Sequence, residues 1–204
     1  MRTLKGVILD FGGVFTRVRQ RTWVLHRAEA RLGLPSDTLT ELLFTGEHWF
    51  AASTGRSSVD EYWKTICAVL DGQVPAELQP FKENPFAYEE LNQSMVAIAR
   101  RLHKRYRTAL LSNATPLLDR LLCDLDLDDL FDAVINSSRV GLRKPDPAIY
   151  LLTLERLGLR AEECLFVDDK QRNTDVALAL GMHAVTFSSA SQLERELRTL
   201  QLSA

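Results

Sequence analysis

The sequence predicts an α/β protein: a doubly wound, mostly parallel sheet of Rossmann type, interrupted by an all-helical insertion. Three observations lead there. Short apolar runs alternate with segments of helical pattern over most of the chain, as strands joined by crossover helices do. One long stretch breaks that rhythm and carries helical patterns with no convincing strand. The first apolar run, Val7-Ile8-Leu9, ends on Asp10 and enters a glycine turn through Phe11, Gly12, Gly13 and Val14. A carboxylate at the C-terminal end of a buried strand is where an open α/β sheet places its chemistry.

Taken in order, strands are expected at Val7–Leu9, Thr108–Leu111, Ala133–Ile135, Leu165–Val167 and Ala184–Phe187. Inside the insertion, helical spacing covers Trp23 to Leu32, Thr38 to Phe44 and Ser58 to Leu70. Thr38 with Glu41 and Ser58 with Glu61 have the spacing of capping boxes, as does Ser191 with Glu194 at the last helix. Thr115-Pro116 and Asp146-Pro147 fit an N-cap followed by a first-turn proline, and Gly158 and Gly181 fit helix ends. The insertion begins directly after the first strand and leaves near Asn84-Pro85-Phe86. The expected organisation is therefore an α/β domain of residues 1–15 and 95–204 and a helical cap of residues 16–94.

Composition narrows the class. The 204 residues are 46% hydrophobic and 25% charged, ordinary for a globular chain and unlike a disordered one. A net charge of -2 offers no footprint for nucleic acid or an anionic membrane surface. The three cysteines, Cys67, Cys123 and Cys164, are odd in number and widely spaced, which fits a reducing compartment. The N-terminal apolar run stops at Asp10, short of a signal peptide, and nothing approaches the roughly 18 apolar residues of a membrane span. A cytoplasmic protein with a small-molecule ligand, no nucleic-acid partner and no membrane partner is expected, and oligomeric state is left open.

Four polar clusters follow four of the strands: Asp10, Ser112-Asn113, Lys144 with Pro145, and Asp168-Asp169. In a sheet of this kind they converge on one crevice. Their chemistry is mutually consistent. One carboxylate can be a nucleophile, two more can hold Mg²⁺, and a lysine with a hydroxyl and adjacent amides can hold a phosphoryl group. Each cluster also has a plain structural use, as a turn, a solvated loop lysine or a helix N-cap, and it is the four together that point to a site.

These residues carry a resemblance. Asp10-Phe11-Gly12-Gly13-Val14, Leu111-Ser112-Asn113, Gly141-Leu142-Arg143-Lys144-Pro145-Asp146-Pro147 and Phe166-Val167-Asp168-Asp169, then Asn173 and Gly181-Met182, resemble the haloacid dehalogenase-like (HAD) superfamily of hydrolases, in that family's order. The segment Gly55-Arg56-Ser57-Ser58 followed by Glu61-Tyr62-Trp63 resembles the subgroup with epoxide-hydrolase-like phosphatase domains. The resemblance implies a HAD core with a helical cap and a Mg²⁺-dependent hydrolase of a small phosphorylated substrate. Asp10 would attack phosphorus and form an aspartyl phosphate. Mg²⁺ would be held by the Asp10 carboxylate, the Gly12 carbonyl and Asp169, with Asp168 direct or through water. Ser112 and the Asn113 backbone would bind phosphate oxygens, and Lys144 would neutralise nucleophile and phosphate.

Gly12 departs from the pattern, because phosphatases of the family usually have a second aspartate there that protonates the leaving group. Such a group contributes ~10²–10⁴ in rate. Three readings stay open: a slow or specialised phosphatase, a non-catalytic phosphate-binding or regulatory protein, and a 2-haloacid dehalogenase. The other polar features are set aside. The basic run Arg100 to Arg107 falls at a helix C-terminus, Asp124-Asp126-Asp128 lacks the glycine and glutamate of a calcium loop, and Asn173 reads as a helix-start residue. Trp23, Trp49 and Trp63 read as cap core. His26 and His48 are the cap's first candidates for a proton donor.

Overall fold

The computed structural model describes residues 4–202. The first strand, β1 (Gly6–Leu9), turns into β2 (Thr16–Val18). Then α1 (Arg21–Leu32), α2 (Thr38–Thr40) continued by a π turn over Glu41–Thr45, α3 (Glu47–Ser53), α4 (Val59–Val69) and a 3₁₀ segment at Ala76–Lys82 lead to β3 (Glu89–Leu91). The chain continues through α5 (Gln93–His103), β4 (Arg107–Ser112), α6 (Leu117–Asp124), β5 (Ala133–Asn136), α7 (Ser137–Val140) and α8 (Pro147–Leu157). It ends with β6 (Cys164–Asp168), α9 (Gln171–Ala179), β7 (His183–Thr186) and α10 (Ala190–Thr199).

β1 lies at the centre of a five-stranded parallel sheet ordered β5-β4-β1-β6-β7. All four of its residues are buried, which is why it reads as an unbroken apolar run rather than an alternating one. Val7 and Leu9 face one layer, where Met95, Ile98, Leu118 and Leu193 cover them; Ile8 faces the other, with Ile149, Tyr150 and Leu154. Helices therefore cover both faces, and parallel crossovers require that. Leu9 pairs with Leu110 on one side and Val167 on the other, so Asp10 leaves the sheet level with the ends of β4 and β6. The chain runs outward from β1 in both directions, so this end of β1 is the switch point at which open α/β sheets bind ligands.

The helical unit has its own core, built from Leu25, Leu39, Leu43, Trp49, Trp63 and Ile66 among others. Trp49 stacks edge-on against Tyr62, whose hydroxyl donates to the Leu43 carbonyl at 2.8 Å. Two of the three tryptophans are core residues as expected, while Trp23 is 59% exposed. Among the described residues no helix is long and apolar enough to cross a membrane.

Four expectations are corrected. The stretch from 16 to 94 does contain strands, since β2 pairs antiparallel with β3, Thr16 opposite Leu91 and Val18 opposite Glu89. Each is only three residues long and carries charge, so neither shows an apolar alternation. Thr38 and Glu41 form no capping box: the Thr38 hydroxyl donates to the Pro35 carbonyl at 2.7 Å, and the buried Glu29 carboxylate accepts the Asp37 and Leu39 amides at 3.2 and 2.7 Å. At the last helix Ser189 is the cap, accepting the Gln192 amide at 3.1 Å, and Glu194 pairs with Arg101 at 2.7 Å. Thr115 does not cap α6, for its hydroxyl is buried with no partner among the described residues. The Ser58–Glu61 box and the Asp146 cap are present as expected.

Candidate active site

The site starts at Asp10. Its amide donates to the Val167 carbonyl at 2.9 Å, which extends the sheet by one residue and seats the carboxylate between β4 and β6. Asp10 Oδ1 accepts the Phe11 amide at 2.7 Å and lies 2.8 Å from Lys144 Nζ. Lys144 Nζ also donates to Asp168 Oδ2 at 2.6 Å, so one buried ammonium bridges two buried carboxylates.

Lys144 is held by its backbone. Its amide donates to Asn113 Oδ1 and its carbonyl accepts from Asn113 Nδ2, both at 2.8 Å. This two-point clasp ties the loop after β4 to the loop before α8, and it leaves only the backbone of Asn113 for a ligand. Asp168 is equally fixed: Oδ1 accepts the Lys170 amide at 2.9 Å and Asn173 Nδ2 at 2.8 Å. Asn173, read from the sequence as a helix-start residue, is thus part of the site. It sits on the first turn of α9 and faces back to the end of β6.

Asp169 differs from both. Its Oδ1 is buried and has no hydrogen-bond partner among the described residues. A Cβ on Gly13 would come within 2.6 Å of Asp169 Oδ2, and Gly13 has φ +78°, so both space and backbone require glycine there. Asp10, Asp168 and Asp169 each offer an oxygen within 4.8 Å of the others, the donor set a hard divalent cation takes.

Burial and charge pull on these groups in opposite senses. Burial pushes the Asp10 carboxyl up to about 7, against Lys144 and with the help of Asp168. Burial also works to raise Asp168, but the Lys144 ammonium and the hydrogen bonds from Lys144, Lys170 and Asn173 outweigh it and hold the carboxyl below its ordinary value. Lys144, which burial alone would lower, is raised by its two carboxylates. Asp169 is raised, chiefly by burial.

Asp10, Gly12, Ser112, Asn113, Lys144 and Asp169 all line one cavity of about 420 Å³ between the sheet and the helical unit. Phe44, Trp49 and Phe86 supply apolar lining, and Arg143 and Arg172 line it with positive charge, as does Arg21, which pairs with Glu89. His26 and His48 do not line it; His26 stands 3.4 Å from Asp37 on the surface. Glu89, which the sequence did not single out, does line it.

Residues 4–181 match the family of haloacid dehalogenase-like hydrolases. The chain belongs to that family. Among its relatives, bifunctional epoxide hydrolase 2 of Rattus norvegicus is 26% identical over 196 residues, covering 85% of this chain and 35% of the rat protein. Phosphoglycolate phosphatase of Pectobacterium atrosepticum is 41% identical over 71 residues, which is 35% of this chain and 30% of that enzyme. The chain thus spans about a third of the length of these curated relatives. A HAD family enzyme from Bacteroides thetaiotaomicron, in complex with magnesium and inorganic phosphate, shares the fold with a TM-score of 0.75 at 19% identity, over 93% of this chain and 98% of that one.

Proposed function

We propose that this HAD hydrolase is a Mg²⁺-dependent phosphomonoester hydrolase, acting on a small phosphorylated metabolite through an aspartyl phosphate on Asp10. One observation carries the reading: Asp169 Oδ1 is a buried acceptor without a donor, in a cluster of three carboxylates that a single ammonium does not balance. A haloacid dehalogenase would use Asp10 in the same way but leaves that oxygen unexplained. The phosphoglycolate phosphatase relative and the magnesium and phosphate complex of the B. thetaiotaomicron enzyme lend support.

Asp10, Asp169 and the Gly12 carbonyl would hold the cation, and Asp168, whose oxygens are taken by protein donors, would reach it through water. Bound there, Mg²⁺ would offset the carboxylates' repulsion and withdraw charge from the phosphoryl oxygens. Asp10 Oδ1 is pinned by Lys144 and the Phe11 amide, which leaves Oδ2 to attack phosphorus. The Ser112 hydroxyl and the Asn113 amide would bind phosphoryl oxygens, and Lys144 would neutralise the charge gathering between nucleophile and phosphate. The cavity walls would hold the ester against Asp10.

The experiment is a hydrolysis screen over sugar phosphates, nucleotides, acyl phosphates and aryl phosphates, with Mg²⁺ and with chelator. Phosphate release that needs Mg²⁺ is expected. Tight binding of phosphate esters with no hydrolysis of any of them would favour a phosphate-binding role instead.

A further inference from the structure

Gly12 leaves the site without the carboxyl group that the position two residues after the nucleophile would provide. The wall of the same cavity carries another carboxyl group, which the proposed chemistry does not use. Glu89, the first residue of β3, is 1% exposed in its side chain and lines the cavity with Asp10, Gly12 and Asp169. The Thr16 hydroxyl donates to Glu89 Oε2 and accepts the Gly13 amide at 3.2 Å, so a single hydroxyl links the Glu89 carboxyl to the glycine turn. Glu89 Oε1 pairs with Arg21. Phe86, just ahead of β3, crowds Gly12, its ring lying 3.2 Å from where a Cβ on the glycine would stand. The segment from Phe86 into β3 thus crowds Gly12 and brings a different carboxyl to the same cavity.

We propose that Glu89 is the acid/base of this site, donating a proton to the leaving oxygen and then taking one from the attacking water. The proposal rests on the phosphomonoesterase reading. In the first step Asp10 bonds to phosphorus, the ester P–O bond breaks with its electron pair on the leaving oxygen, and that oxygen takes the Glu89 proton. In the second step the water oxygen bonds to phosphorus, its proton passes to the Glu89 carboxylate, and the bond from Asp10 to phosphorus breaks. Alcohol and inorganic phosphate leave, with Asp10 and Glu89 restored. The groups facing Glu89 suit a carboxyl that must both hold and release a proton. Burial and Asp169 favour its neutral form, while Arg21, Thr16 and Lys170 favour its carboxylate, with a net rise.

The competing role is that of an anchor, Glu89 merely tying α1 and β2 to β3. Glu89→Gln separates the two, because it keeps size and an acceptor for Thr16 but holds no transferable proton. Expected is a ~10²–10⁴-fold fall in kcat on an alkyl phosphate, whose leaving oxygen needs protonation, with KM within a few-fold of wild type. On 4-nitrophenyl phosphate the same variant should release one equivalent of nitrophenol in a burst and then turn over slowly, as the aspartyl phosphate waits for an unassisted water. The limb of the alkyl-phosphate pH profile due to Glu89 should vanish. Glu89→Asp, which keeps the charge while drawing the carboxyl back, covers the case of a misfolded Gln variant; at least a ten-fold loss on the alkyl ester is expected. A fall in turnover on both esters with no nitrophenol burst and an unchanged pH profile would make Glu89 an anchor and overturn the proposal. A wild type that hydrolyses neither ester in Mg²⁺ overturns the phosphatase reading and this proposal with it, an outcome told apart by the inactivity of the unmodified protein.

Discussion

Phe86 packs over Gly12 so closely that a Cβ added to the glycine would lie 3.2 Å from the ring. Phe86 is held there edge-on by Phe11, with ring centroids 4.8 Å apart. Gly12 is not among the glycines with positive φ, so its backbone admits a side chain and the ring is what resists one. Gly12→Asp alone should therefore destabilise by about 1–3 kcal/mol, the range for overpacking, and add little activity. Gly12→Asp with Phe86→Leu should recover part of that stability. In the Glu89→Gln background the same pair should restore alkyl-phosphate turnover. Urea denaturation and kcat on an alkyl ester check the two halves.

The bridge from Lys144 to Asp10 and Asp168 gives a second expectation. Lys144→Met removes the one ammonium between two buried carboxylates, 2.8 and 2.6 Å away. Breaking a buried pair from one side costs about 3–5 kcal/mol, because the two carboxylates lose the opposite charge between them and keep only neutral donors. Activity should be lost, and Mg²⁺ should stabilise this variant more than wild type. Thermal denaturation with and without Mg²⁺ measures both.

Asp10→Asn tests the nucleophile. Asparagine keeps the shape and an acceptor for Lys144 but cannot attack phosphorus, so turnover should fall by on the order of 10⁴-fold or more, as for other nucleophile deletions. The fold should hold, since the substitution also relieves repulsion from Asp168. Hydrolysis at the wild-type rate by the pure variant would remove Asp10 from the chemistry.

Metal and pH are linked through Asp10. Its folded carboxyl is pushed up to about 7 from an ordinary 3.8 by burial, so the metal-free fold binds more protons than the unfolded chain between those values. The stability it contributes is complete below the lower value and is lost as pH rises through the upper one. A cation that favours the carboxylate cancels that loss. The rise in Tm on adding Mg²⁺ should therefore grow as pH climbs from 5 toward 7.5. At 100 times Kd, Mg²⁺ stabilises by about 2.7 kcal/mol, or roughly 5–10 °C for a chain of this size. Asp169→Asn should reduce that increment. An increment independent of pH and of Asp169 would place the cation elsewhere.

Much of this protein was legible in one dimension because it depends on local pattern. The three central strands of the main sheet read as apolar runs because both of their faces are buried, and Asp146 and Ser58 read as caps because the bonds they make span only a few residues. The convergence of Asp10, Ser112, Asp168 and Asp169 was legible because parallel strands send their C-terminal ends to one edge, whereas Lys144, expected at a strand end, lies beyond α7 and reaches the same cavity from the loop before α8.

What only the tertiary structure decided involves partners far apart in the chain. The pairing of β2 with β3 carries no apolar alternation and depends on the helical unit returning to its point of departure. Glu29 replaces a local cap because α1 lies beside the start of α2. Asn173 gained its role by facing Asp168 across the turn into α9, and Asn113 by clasping the backbone of Lys144. Glycine at position 12 showed in the sequence that a carboxyl was missing. That Phe86 crowds Gly12 and Glu89 lines the same cavity could be learned only once β3 was folded against the glycine turn, for burial and proximity are properties of packed surfaces and not of neighbours along the chain.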